Sequence, residues 1–116
     1  MSEIRKLLIS GADANTKDAK GYSLLMNYSK GNDADSINAL LEYGASINDK
    51  DHLNFSALDY AIESNNLNII ELLVKNGSNI TNDSYMFAVR KNQKNIIDFF
   101  DSLDPNKHVF LRNKHR

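Results

Sequence analysis

"LLISGADAN" at residues 7–15 returns as "LLEYGASIN" at 40–48 and, more loosely, as "LLVKNGSNI" at 72–80. The glycines of the three phrases, Gly11, Gly44 and Gly77, stand 33 residues apart at each step. A fixed period of this length marks one supersecondary unit copied along the chain. Apolar residues fill the positions three and four before each glycine, as where an apolar helix face is stopped by a left-handed residue. Upstream, Ile37, Leu40 and Leu41 fall at i, i+3, i+4, and Ile69, Ile70, Leu72 and Leu73 repeat that face. Each glycine therefore closes the second helix of a unit.

The segments "SLLMNYSKGN" (23–32) and "SALDYAIESN" (56–65) precede those helices and are again offset by 33. A serine opens both, and its hydroxyl can accept from an unpaired N–H of a helix start. Between helix stop and serine, "ADANTKDAKGY" (12–22) and "ASINDKDHLNF" (45–55) are rich in Asp and Asn without helical period, and read as extended turns. Each unit is thus turn, helix, helix. The first contributes only its second helix, residues 2–10, and the last is shortened, since Ala61 finds its counterpart in Ala88, 27 residues on. Stacked units bury their apolar faces only together and end in polar-faced caps. Glu3, Arg5 and Lys6 supply such a face at the start; Lys91, Asn92, Lys94, Asn95 and Asp98 supply it at the end, so the array reads as finished at both ends. Asp33 is expected to cap the second helix of its unit, and Asp49 and Asp51 to accept from nearby backbone amides.

The period, the helix-stop phrase and the spacing of Ser, Leu and Gly together resemble the ankyrin repeat. What the resemblance implies is an all-α, ankyrin-repeat solenoid of stacked helix-turn-helix units with β-turn fingers. It would span residues 1–104 as a single domain, with units at about 1–15, 16–48, 49–81 and 82–104, followed by a basic tail at 105–116. The family's finger glycine corresponds to Gly21 and Asn54, and its Thr-Pro-Leu-His to "SLLM" (23–26) and "SALD" (56–59). Neither full unit has the proline or histidine, so the usual histidine bond between fingers is absent or replaced by Asp59 and Ser56. Tyr28 stands where the family prefers alanine, in a close-packed seam, which predicts a distorted unit.

At 116 residues, 41% hydrophobic and 25% charged, the chain has the make-up of one folded domain. A net charge of -1 lacks the positive field of sequence-independent nucleic-acid binding. There is no cysteine and no apolar run long enough for a membrane span or signal core, so a cytoplasmic protein is expected, without nucleic-acid or membrane partners. No chemistry-bearing pattern emerges. His52 sits on a finger, with His108 and His115 in the tail, and none forms an i, i+4 metal pair. "DADSIN" (33–38) and "DKDHLN" (49–54) fail as calcium loops: Ile37 and Leu53 occupy ligand positions, and the sixth-position glycine is missing. The five Asn-x-Ser/Thr sites lack a secretion signal. No cofactor, metal or catalytic residue is inferred, and the chain is expected not to be an enzyme.

The resemblance implies a protein partner docked on the concave face of finger tips and first helices. Carried over by position, that face comprises Lys20, Tyr22, Met26 and Lys30 of one unit, His52, Leu53, Phe55, Asp59 and Glu63 of the next, and Arg90 of the last. Tyr22, Leu53 and Phe55 are the expected energetic anchors, because large apolar groups on a turn between charged neighbours have little use within the chain. Tyr22 and Phe55, equivalent by 33 residues, are equally placed to pack on the adjacent finger. Leu53 has Lys20 as its counterpart and is the better anchor. The expected function is a non-enzymatic protein-protein interaction module, monomeric alone. Its wealth of Asn, Lys and Ile points to an AT-rich genome, and short ankyrin proteins of microbes include some similar to inhibitors or immunity proteins. The alternative is a structural or assembly protein acting through self-association, to which the tail's Val109, Phe110 and Leu111 would contribute; otherwise the tail is expected to be a partly mobile, solubilising end, with docking of those three residues on the last helix as the other arrangement.

Overall fold

The computed structural model describes residues 2–107. These contain the helices α1 (Glu3–Ile9), α2 (Leu24–Ser29), α3 (Ala34–Glu42), α4 (Ala57–Glu63), α5 (Leu67–Lys75), α6 (Asn82–Arg90) and α7 (Lys94–Leu103). Among the described residues there is no sheet, only an isolated antiparallel bridge between Lys17 and Ser23. The fold is all-α, and the chain divides into two compact units, Met1–Asn79 and Ile80–Arg116.

In the first unit α1 packs on α3 and α2 on α4, so like helices of successive repeats form two rows. Within repeats, α2 pairs with α3 and α4 with α5. Side chains set the helix starts. Ser23 and Ser56 accept from the N–H groups of Met26 and Asp59, at 3.2 and 3.3 Å. In return the Ser23 and Ser56 N–H groups donate to Met26 Sδ (3.4 Å) and Asp59 Oδ2 (3.0 Å). Both starts are thereby closed capping boxes. Asp33 and Asn66 cap α3 and α5 at the equivalent position of the second helices.

The helix stops explain the first half of the recurring phrase. The N–H groups of Ala12, Ala45 and Ser78 donate back to the carbonyls of Leu7, Leu40 and Leu73 at 3.0, 2.9 and 3.0 Å. That closure needs a left-handed residue between, and Gly11, Gly44 and Gly77 take φ of 106°, 90° and 103°. A Cβ at these positions would meet no atom within 4 Å, so conformation rather than space selects glycine.

The closing asparagine explains the second half. Asn15 Nδ2 donates to the Gly44 carbonyl at 3.0 Å while its Oδ1 accepts from Ser46 N at 2.8 Å. Thirty-three residues on, Asn48 donates to the Gly77 carbonyl at 3.1 Å and accepts from Asn79 N at 2.8 Å. One amide side chain per repeat thus ties its turn to the helix stop of the next. Beneath this run of polar ties lie Leu8, Leu25, Ile37, Leu40, Leu58, Ile62, Ile70 and Leu73, all but sealed from solvent. Each contributes about 1.5–3 kcal/mol of burial free energy.

Three expectations change. Arg5 does not line the outer face of α1: its guanidinium crosses to α3, where Nη1 donates to Glu42 Oε2 (2.9 Å) and Nε to Asp35 Oδ1 (3.2 Å). Glu3 and Lys6 do stay exposed, at the positions of buried Ser36 and Ala39. Asp49 binds the Lys17 ammonium rather than an amide. Tyr28 is half-buried instead of wedged in a seam, because no described helix precedes α2 in its row; its counterpart Ala61 is fully buried.

In the second unit α6 packs on α7. Tyr85, Ala88, Ile96 and Phe100 are buried, the Tyr85 and Phe100 rings lie 6.4 Å apart, and Tyr85 donates to Asp101 Oδ1 at 2.9 Å. The shortened register has a simple origin. The α6 cap Thr81 follows Gly77 by a step of only 4 (77 to 81), against 12 from Gly44 to Ser56 (44 to 56), while the step from helix start to alanine grows from 4 (57 to 61) to 6 (82 to 88). The net loss of 6 turns 33 into 27. The tail's His108, His115 and Val109, Phe110 and Leu111 lie outside the described residues.

Candidate partner-binding face

Two fingers of identical construction stand beside one another in the first unit. Asp18 Oδ1 accepts from the amides of Lys20 (2.9 Å) and Tyr22 (3.0 Å), and Asp51 Oδ1 from those of Leu53 (2.9 Å) and Phe55 (3.0 Å). The tips turn through left-handed Gly21 (φ 76°) and Asn54 (φ 66°). Gly21 also needs to lack a side chain, since its Cβ would stand 3.3 Å from Asp51 Cα of the neighbouring finger. The close approach permits one backbone bond between fingers, His52 N to the Lys20 carbonyl at 2.9 Å. This bond stands between the fingers of a chain that lacks the family's histidine; Ser56 and Asp59 are engaged in their capping box.

Behind the fingers lies an aromatic cluster that the sequence reading missed. Tyr60 of α4 meets Tyr22 edge-on at 5.4 Å and Phe55 at 5.4 Å. Its hydroxyl donates to Asp51 Oδ2, deep in the finger base. Burial works against the Asp51 charge, yet the bonds from Tyr60, Phe55 and Leu53 hold its carboxyl below the ordinary range. Burial first, and then Asp51, push the Tyr60 hydroxyl well above the usual phenol value. Tyr60 therefore stays protonated and fixes the finger to the helix row. The counterpart of Tyr60 is Asn27, so the repeat itself gave no hint of this role.

The Lys30 ammonium, at the end of α2, lies 4.9 Å from the Tyr22 ring centre and 4.8 Å from that of Tyr60. Together these groups wall a cavity of about 510 Å³. Asp18 and Lys20 border it from one finger, and His52 and Leu53 from the other. Leu53 is 73% exposed, the most open large hydrophobic side chain among the described residues.

Of the residues placed on this face from sequence, Lys20, Tyr22, Lys30, His52 and Leu53 are brought together around the cavity. Glu63 is exposed on α4. Phe55 is half-buried against Tyr60, so it serves the cluster more than the surface. Met26 and Asp59 are corrections: Met26 is 1% exposed and Asp59 9%, because each turns back to cap its own helix start. Arg90 is exposed at the end of α6, in the second unit. No group of three metal-ligating side chains occurs among the described residues, and no described helix is long and apolar enough to cross a membrane.

Residues 1–84 match the family model of ankyrin repeats, in 3 copies. No curated protein matches the chain.

Proposed function

The chain belongs to the ankyrin-repeat family, whose repeats are generally protein-protein interaction modules, and on that premise we propose that its finger face binds a protein partner. The observation that carries this reading is Leu53: a large apolar side chain held in the open at a finger tip, beside a cavity walled by two tyrosines. An apolar side chain kept open to solvent beside a pocket marks a contact site, and tyrosines such as Tyr22 on the pocket wall are of the type enriched at the energetic centre of interfaces. The charged groups around it, Lys20, Lys30 and Glu63, would set register and association rate more than affinity. The module acts without chemistry of its own, in the cytoplasm, by blocking or recruiting its partner; an inhibitor or immunity-type role in a microbe is one form of that action.

Affinity capture from a lysate of the source cell, with the wild type beside Leu53→Glu, tests the reading. A protein held by the wild type and lost by the variant supports it; equal capture by both moves the site elsewhere.

A second reading, self-association, has one observation in its favour. Leu7 and Ile9 of α1 are 48% and 57% exposed, although the counterparts of Leu7, Leu40 and Leu73, are fully buried. Light scattering at two concentrations decides it, since only self-association raises the mass with concentration.

A further inference from the structure

We propose that the cavity between the two fingers is a receptor for an acidic-apolar pair of side chains on the partner: a carboxylate for Lys30 and Lys20, and an adjoining aromatic or branched aliphatic group for Leu53 and Tyr22. The inference rests on the finger face being the binding face. At about 510 Å³ the cavity falls within the range of sites that enclose a ligand group. The Tyr22 and Tyr60 rings make the apolar part of its wall, with Leu53 at its border.

Charge decides what the polar end of the ligand must be. The Asp51 carboxylate is committed inside the wall, one oxygen to two amides and the other to Tyr60. Asp18 likewise turns one oxygen to two amides. The cations are not so committed: among the described residues neither Lys20 nor Lys30 joins an ion pair, and Lys30 rests only against the two ring faces. An ammonium on an aromatic wall, without an anion of its own, is a preformed half of a charge-assisted contact. The second half must come from outside. A basic side chain would instead meet Lys20 and Lys30 as like charges, with the outer oxygen of Asp18 to offset them only in part.

Titration of the full-length protein, followed by NMR, with 4-phenylbutyrate and with its neutral amide 4-phenylbutanamide tests the pocket without the natural partner. The carboxylate is expected to bind roughly tenfold more tightly than the amide at low salt. Both probes should move the resonances of Tyr22, Leu53 and Tyr60. Lys30→Gln should bring the two probes to equal affinity, and Lys20→Gln, a second variant on an exposed finger, should narrow the gap. Equal binding of the probes by the wild type overturns the proposal, as does the absence of shifts at Tyr22, Leu53 and Tyr60. Either result would leave protein binding by the finger face standing, because partner capture is measured separately. Conversely, carboxylate-selective binding with no loss of capture in Leu53→Glu would separate the pocket from the partner site.

Discussion

Tyr60 and Asp51 are joined by a buried hydrogen bond, phenol to carboxylate, that fastens the second finger to the row of first helices. The second finger depends on it: Asp51 also holds the amides of Leu53 and Phe55, and Tyr60 also supports the rings of Tyr22 and Phe55.

Removing the donor should therefore be costly. Tyr60→Phe keeps the ring contacts and leaves Asp51 Oδ2 buried without its phenol, a loss of about 1–3 kcal/mol, measured by urea unfolding. Hydrogen exchange should rise at the Leu53 and Phe55 amides before it rises in α3.

The same pair gives a pH dependence whose sign follows from the lowered Asp51 carboxyl. A carboxylate that holds its charge more strongly when folded stabilises above its unfolded pKa, and that stability is lost as pH falls below about 4. Asp35, lowered chiefly by its bonds from Ser2 and also by Arg5, acts in the same window. Thermal melts should be steady near neutral pH and fall below pH 4, and the fall should be shallower in Tyr60→Phe.

Asn48→Ala removes one donor and one acceptor bond between successive repeats, to the Gly77 carbonyl and from Asn79 N. The expected loss is about 1–2 kcal/mol. Asn15→Ala, with the same two bonds one repeat earlier, should cost a similar amount in the same denaturation assay.

Ser78 carries a buried hydroxyl for which no hydrogen-bond partner is found, at the place held by Ala12 and Ala45 in the earlier repeats. Ser78→Ala keeps the backbone bond to Leu73 and removes an unsatisfied polar group. The melting temperature should rise, with a gain of about 0.5–1 kcal/mol.

Gly44→Ala meets no steric obstacle but forces a Cβ onto φ of 90°. A loss of about 1–2 kcal/mol is expected. D-alanine introduced there by semisynthesis should lose none, which separates backbone strain from packing.

The repeat logic was legible in the sequence because it is local. Glycine needs its left-handed turn, serine and aspartate their cap positions, and leucine its helical period, wherever the chain runs. The direction of a side chain at the third helical position is not local in that sense. Met26 and Asp59 share the register of a partner-facing residue, yet each turns inward to complete a capping box. Arg5 looked like solvent-facing charge until Asp35 and Glu42, 30 and 37 residues away, were brought beside it. The Tyr60 cluster was hidden for the opposite reason: it breaks the repeat, with Asn27 as its counterpart, and period-based reading sees what recurs.

The most direct test of the finger face is calorimetric titration of the captured partner with three folded proteins: the wild type, Leu53→Glu and Tyr43→Glu. Tyr43 is exposed at the end of α3, in the other row of helices, and serves as the matched control. Leu53→Glu should weaken binding by about 2 kcal/mol, roughly thirtyfold, with Tyr43→Glu at the wild-type affinity. Unchanged binding by Leu53→Glu, together with loss in Tyr43→Glu, would contradict the account and place the partner on the second-helix row.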